Sequence, residues 1–202
     1  MEIKGSQSEK NLMTAFMRES GTRNLYDFFS GRAKKEKLIE IHDLFMETSE
    51  QDRALAKRLY KLLQGGDIEV SSTFPSSELG ETKSNLETAI SIEHYEWETL
   101  YPSFAETARE EGFKPLAKIF ESIAIAEKYH EAQFIKLLKG VETGDMFQSN
   151  GIVIWRCRKC GYLHAAKAPP GVCPACDHPK GYFDLLETAD NGVFTDILEM
   201  KI

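Results

Sequence analysis

The sequence predicts a mainly α chain, a four-helix bundle with one long crossover, followed by a small β-rich domain built around a metal. Three observations lead there. Residues 8–140 carry four apolar stripes at spacings of three and four. Roughly 18 residues, rich in turn formers, separate the second stripe from the third. All four cysteines fall between positions 157 and 176, so the first 156 residues contain none.

The first stripe runs Leu12, Ala15, Glu19, Thr22, Tyr26, Phe29, and the second Leu38, Ile41, Phe45, Thr48, Asp52, Leu55, Leu59, Leu62. The third is Leu86, Ile90, Glu93, Glu96, Leu100, with Trp97 beside it, and the fourth Leu116, Phe120, Ile123, Glu127, His130, Phe134, Leu137. Gly31 is expected to separate the first two helices and Gly65-Gly66 to stop the second. Ser84 with Glu87 reads as a capping box for the third. Gly112 should end that helix, Pro115 suits the first turn of the fourth, and Gly140 should close it. Short turns make each helix pair antiparallel, and the long link through Phe74-Pro75 can run the length of a bundle, as in the ferritin-like arrangement. Beyond Gly144 the periodicity fails. Ile152-Val153-Ile154-Trp155 reads as a short strand, and Pro169-Pro170-Gly171 as a turn. Fewer than about 50 residues bury little core, so this module needs a staple.

Composition narrows the function classes. With 25 Lys and Arg against 32 Asp and Glu, the net charge of −7 argues against a nucleic-acid partner. No apolar run reaches the ~18–20 residues that span a bilayer, and Met1–Ser6 has no secretory core, so neither a membrane anchor nor a signal is expected. Clustered cysteines are metal ligands more often than a disulfide scaffold, which fits a reducing cytoplasm.

Six residues on the inner stripes are the wrong chemistry for a core: Glu19, Asp52, Glu93, Glu96, Glu127 and His130. Each lies near the middle of its helix, so antiparallel packing sets them at a similar height. Five carboxylates confined there repel one another unless protons or cations neutralise them. Hard metal ions do that, and Glu127-Lys128-Tyr129-His130 offers an oxygen and a nitrogen on one helix face. Carboxylate-bridged di-iron bundles use one Glu from each of two helices and Glu-x-x-His from each of the other two. On helix two that spacing reads Asp52-Arg53-Ala54-Leu55, with a shorter acid and no nitrogen. Glu47, Glu50 and Gln51 are rotated off the stripe, as are His42 and His94, which read as surface histidines.

Cys157-Arg158-Lys159-Cys160 and Cys173-Pro174-Ala175-Cys176 are two C-x-x-C units twelve residues apart. Four thiolates so spaced make a tetrahedral site for zinc or for a single iron, and the spacing alone does not choose.

With these residues in view the chain resembles the rubrerythrin family over roughly residues 5–187. The likeness lies in Glu9-Lys10-Asn11-Leu12, Ala56-Lys57-Arg58-Leu59, Gly65-Gly66-Asp67, Tyr101-Pro102-Ser103-Phe104-Ala105, Ala108-Arg109-Glu110-Glu111-Gly112 and, for the rubredoxin-like part, Trp155-Arg156-Cys157, Cys160-Gly161-Tyr162 and Cys173-Pro174-Ala175-Cys176. The resemblance implies a ferritin-like di-iron bundle over 1–145 and a rubredoxin-like Fe(Cys)4 domain with a C-terminal extension over 146–202. It implies a non-haem iron peroxidase that takes electrons from a reduced donor, such as a rubredoxin or an NADH-dependent reductase, through the sulfur-bound iron. Hydrogen peroxide is then reduced at the di-iron site. Glu19, Glu93, Glu96, Glu127 and His130 match the family's ligands, and Tyr26 and Tyr101 match tyrosines near the cluster. Asp52 stands for a bridging Glu, and Leu55 for a His that in the family exchanges with the carboxylate matching Glu96. The family also implies a homo-oligomer, at least a dimer, and iron rather than zinc, with zinc the alternative at either site. Two other readings stay open: an electron-transfer or metal-binding protein whose bundle site is degenerate because of Leu55, and iron or zinc handling by a ferritin-like bundle with a zinc ribbon. The tail Thr188–Ile202 exceeds the family pattern and has no assigned role.

Overall fold

The computed structural model describes residues 2–186; the tail from Thr188 lies outside them. Helix α1 spans Gln7–Lys35 and α2 spans Ile39–Tyr60. A third helix follows the crossover in three parts: α3 (Thr82–Tyr95), a π-helical turn (Glu96–Leu100) and α4 (Tyr101–Glu110). Helix α5 (Lys114–Thr143) completes the four-helix, ferritin-like bundle. Strands β1 (Val153–Cys157), β2 (Leu163–Ala166) and β3 (Phe183–Leu185) form an antiparallel sheet in the order β2-β1-β3. Among the described residues no helix is long and apolar enough to cross a membrane.

Several expected boundaries move. Gly31 lies inside α1; the chain turns instead at Lys37, in the left-handed region at φ 63°, where Leu38 N donates to Ala33 O. An internal glycine costs a helix only about 1 kcal/mol, which burial of Phe29 and Ala33 on either side outweighs. Gly140 is likewise internal, and Gly144, left-handed at φ 70°, caps α5. Helix α3 begins at Thr82, so Ser84 lies within it and forms no capping box. The Asn85 side chain closes that corner instead, accepting from Gly80 N and donating to Gly80 O. At α1 the Ser6 hydroxyl accepts from Glu9 N and the Glu9 carboxylate from Gly5 N, a reciprocal cap.

The acids divide the core in two. On one side Leu12, Leu59, Tyr101, Phe104 and Phe120 pack together; on the other Tyr26, Phe29, Phe45, Leu86 and Phe134 do. Between them, at one level, lie Glu19, Asp52, Glu93, Glu96, Glu127 and His130, all buried. Thus the residues expected to share a height and face do so. The crossover passes across α1, where the Phe74 ring occupies the space a Cβ on residue 21 would need, so Gly21 admits it.

Candidate metal centres

The four helices meet the acid layer with fixed partners. Tyr26 donates to Glu93 Oε1 at 2.5 Å, and Tyr101 donates to Glu19 Oε1. Tyr101 reaches the inner face because the π turn begins at Glu96. The π turn bonds Tyr101 N–H to Glu96 O, five residues back, which brings positions 96 and 101 toward one side where a regular helix would split them. That turn left no mark in the stripe pattern, which is why the sequence reads one uninterrupted helix there.

Helix α5 sets Glu127 beside His130, Oε2 to Nδ1 at 2.8 Å, and Glu93 Oε2 lies 3.7 Å from the same nitrogen. The other ring nitrogen, Nε2, meets Gln51 Oε1 at 2.9 Å. In the tautomer protonated at Nε2, the Gln51 carbonyl accepts from that nitrogen and Nδ1 keeps its lone pair toward the acids. Gln51, expected to lie off the stripe, is therefore part of the site. Its backbone is one step from Asp52, but its side chain is long enough to reach across, and stripe counting registers only Cα positions.

Two groups of three result, each with ligand atoms within 4.8 Å of one another: Asp52, Glu127 and His130, and Glu19, Glu96 and Glu127. Glu127 belongs to both. Glu93 completes neither group but lies against His130. Leu55 is half-buried and packs on the apolar cluster below. His94 is exposed on Glu131, and His42, half-buried, meets Ser30 O, so neither joins the site.

The electrostatics are those of a layer built for cations. Burial, then the charge of Glu96, lifts the Glu19 carboxyl well above the usual range. Burial and then Glu19 do the same to Asp52 and to Glu127. Glu96 is raised to about 8 by burial and by Glu93, against the opposing pull of Arg18. Burial, followed by the neighbouring acids, also raises Tyr26 and Tyr101, which therefore stay protonated as donors. Five carboxylate oxygens here have no hydrogen-bond partner: Glu19 Oε2, both oxygens of Asp52, Glu93 Oε2 and Glu127 Oε1. Buried carboxylate oxygens left bare are costly, and convergent bare oxygens with one imidazole nitrogen suit hard divalent ions. The residues fit a two-metal site with a shared carboxylate.

The second centre is at the cysteines, none of which forms a disulfide. Cys157 Sγ lies 3.8 Å from Cys176 Sγ, and Cys160 Sγ 3.7 Å from Cys173 Sγ. A tetrahedron with metal–sulfur arms of about 2.3 Å has edges of about 3.8 Å, so the spacing fits one metal. The two knuckles repeat one backbone pattern. Gly161 N donates to Cys157 O as Asp177 N does to Cys173 O, and Cys157 N donates to Tyr162 O as Cys173 N does to His178 O. Both turns need positive φ, supplied by Gly161 and Asp177. Burial raises the Cys157 thiol and lifts Cys176 to about 12, whereas backbone N–H groups of Ala175 and Cys176 outweigh burial at Cys173 and lower it to about 7. Trp155 is buried in the small core beside Cys157, Cys173 and Phe183, and Tyr162 packs against it.

The sulfur module docks on the bundle through its first knuckle. Arg158 binds Asp43 of α2 at 2.6 Å and Asp184 at 2.5 Å. Close by, a Cβ on residue 181 would fall 1.7 Å from Lys37 O, so Gly181 permits the contact with the α1–α2 turn.

The family model for rubrerythrin matches residues 10–138, and that for the rubrerythrin rubredoxin-like domain matches residues 155–184. A rubrerythrin of Nitratidesulfovibrio vulgaris is 46% identical over 184 residues, covering 91% of this chain and 96% of that protein. A rubrerythrin of Porphyromonas gingivalis is 46% identical over 186 residues, covering 92% and 93%. Among solved structures, nigerythrin in a mixed-valence state aligns with a TM-score of 0.60 at 24% identity over 90% of each chain, a likeness of fold.

Proposed function

Since this chain belongs to the rubrerythrin family, we propose that it is a non-haem iron peroxidase, reducing hydrogen peroxide at the bundle site with electrons delivered through the four-cysteine iron. The family's metal complement is a di-iron site in the bundle and a rubredoxin-like four-cysteine site, with iron the expected metal. The observation that supports the reading most is the pair of three-ligand groups sharing Glu127, set in a buried layer whose oxygens lack donors.

In this reading the ligands are Glu19, Asp52, Glu93, Glu96, Glu127 and His130 in the bundle, and Cys157, Cys160, Cys173 and Cys176 in the second module. Two adjacent ferrous ions, when bound, would supply the two electrons that, with two protons from solvent, convert peroxide to two waters. The rest is the chain's own work. Glu127 spans the two positions, and Gln51 orients His130 by accepting from Nε2. Tyr26 and Tyr101 hold Glu93 and Glu19 by one oxygen each, leaving the other oxygen free. The aromatic clusters on either side keep bulk water from the layer and strengthen its electrostatics.

Residues 1–145 act here as the peroxide-reducing bundle, and 146–202 form the rubredoxin-like domain with its C-terminal extension, electrons entering at the four cysteines. A reduced rubredoxin or an NADH-dependent reductase is the donor, the address is cytoplasmic, and the working form is a homo-oligomer, at least a dimer. The second reading, an electron-transfer or metal-binding protein with a weakened bundle site, draws its support from Leu55, which offers no ligand beside Asp52. The test is reductase-coupled NADH oxidation by peroxide, with the iron-loaded chain compared with Glu127→Gln at matched iron in the cysteine site. The proposal expects turnover that the substitution abolishes; equal, slow rates would favour the second reading.

A further inference from the structure

Among the described residues Arg18 is the only lysine or arginine that is buried, at 3% exposure, and it reaches the acid layer from beneath the crossover. Its position is fixed from several sides. Nε donates to Glu96 Oε1 at 2.8 Å, and an NH group donates to Thr73 O of the crossover at 2.9 Å. The guanidinium also lies 5.1 Å from the Tyr95 ring centroid and 5.7 Å from that of Phe74. A guanidinium does not give up its charge at accessible pH, so this cation is permanent.

Its partner has a second claimant. Glu96 belongs to the Glu19–Glu96–Glu127 group, whereas the Asp52–Glu127–His130 group contains no residue paired with a side-chain guanidinium or ammonium. The two metal positions therefore differ twice over. One has an imidazole nitrogen and uncompensated oxygens; the other has oxygens alone, and one of its three carboxylates, Glu96, is already paired with a fixed positive charge. A divalent ion entering the second position must share Glu96 with Arg18 and sit in the same low-dielectric layer as its charge.

We propose that Arg18 is a built-in competitor for the second metal, making the bundle fill in order: first the position of Asp52, Glu127 and His130, then, at much higher metal concentration, the position of Glu19, Glu96 and Glu127. This rests on reading the bundle as a divalent-metal centre, as above. Arg18 is thus a positioning residue that sets occupancy, not a ligand.

The test uses the full chain with zinc at the four cysteines and an empty bundle, titrated with Mn(II) and followed by electron paramagnetic resonance. Wild type should first give the signal of isolated Mn(II) and only later that of a coupled pair, with dissociation constants at least tenfold apart. Arg18→Met should tighten the second step tenfold or more and leave the first within threefold. Arg18→Lys, which keeps the charge, should preserve the gap, and Arg23→Met, on the outer part of the same helix, should change neither step. Two equal steps in wild type would overturn the inference whether or not Arg18→Met folds, and so would an unchanged gap in folded Arg18→Met; both would leave the two-metal reading intact. No Mn(II) in the bundle of any variant would overturn that reading as well.

Discussion

Removing metal from the bundle, while zinc stays at the cysteines, should make the fold weaker as the pH rises from about 5 to about 8. The sign follows from Glu96, raised from an ordinary 4.5 to about 8 by burial and by Glu93. A carboxyl raised on folding contributes stability that is fully present below its unfolded value and is lost as the pH climbs through its folded one. Across that interval the folded chain keeps a proton the unfolded chain has released, worth about 1.4 kcal/mol per pH unit. From 4.5 to about 8 Glu96 alone therefore accounts for roughly 5 kcal/mol. Glu19, Asp52 and Glu127 are shifted in the same direction and steepen the loss. For a chain of 202 residues each kcal/mol moves the midpoint by about 2–4 °C, so the melting temperature should fall by at least roughly 3–6 °C per pH unit. Ligated metal takes the protons' place and binds more tightly as they leave, so the loaded protein should show a flat or rising profile. Circular dichroism melts at 222 nm between pH 5 and pH 8, with and without bundle metal, measure both slopes. A metal-free midpoint that stays level or rises over this range would refute the argument that the layer is held together by protons when cations are missing.

Leu55→His places an imidazole three residues from Asp52, on the same helix face; at equal iron content, peroxide turnover should rise several-fold, and an unchanged rate would show that the absent nitrogen is not limiting. Cys160→Ser should abolish the thiolate-to-iron absorption and electron entry while leaving two metals in the bundle, counted by elemental analysis; joint loss of both centres would show that the modules do not fold separately. Phe134 is fully buried, with Phe45 at 5.1 Å and Tyr26 at 5.4 Å between ring centroids, so Phe134→Ala should cost about 3–5 kcal/mol in urea unfolding.

Much of this was legible in the sequence because ligands in a bundle obey the same periodicity as the core. Glu19, Asp52, Glu93, Glu96, Glu127 and His130 fall on stripes that must face inward, so their common height follows from helix lengths and antiparallel packing. The cysteines were legible for a different reason: two tight knuckles bring four sulfurs together largely by local turn geometry. The boundaries expected at Gly31 and Gly140 were not legible, because both glycines are helical and the chain turns instead at Lys37 and Gly144, whereas Gly112, left-handed at φ 84°, does follow the end of α4 as expected. Nor was the π turn, since a single inserted residue shifts the stripe by less than its own width. Gln51 and Arg18 escaped for a shared reason. Both stand one residue from a stripe acid and reach the layer with long side chains, which a count of Cα positions does not register.

In the proposed function the bundle acids form a working two-iron centre supplied with electrons by the sulfur-bound iron. Anaerobic stopped-flow mixing of the fully reduced, iron-loaded protein with hydrogen peroxide, following the thiolate-to-ferric colour, tests it most directly. Recolouring should be rapid, follow oxidation of the bundle irons, and be lost in Glu127→Gln. Recolouring that is slow, and equally slow in Glu127→Gln, would contradict it and leave an electron carrier on a ferritin-like scaffold.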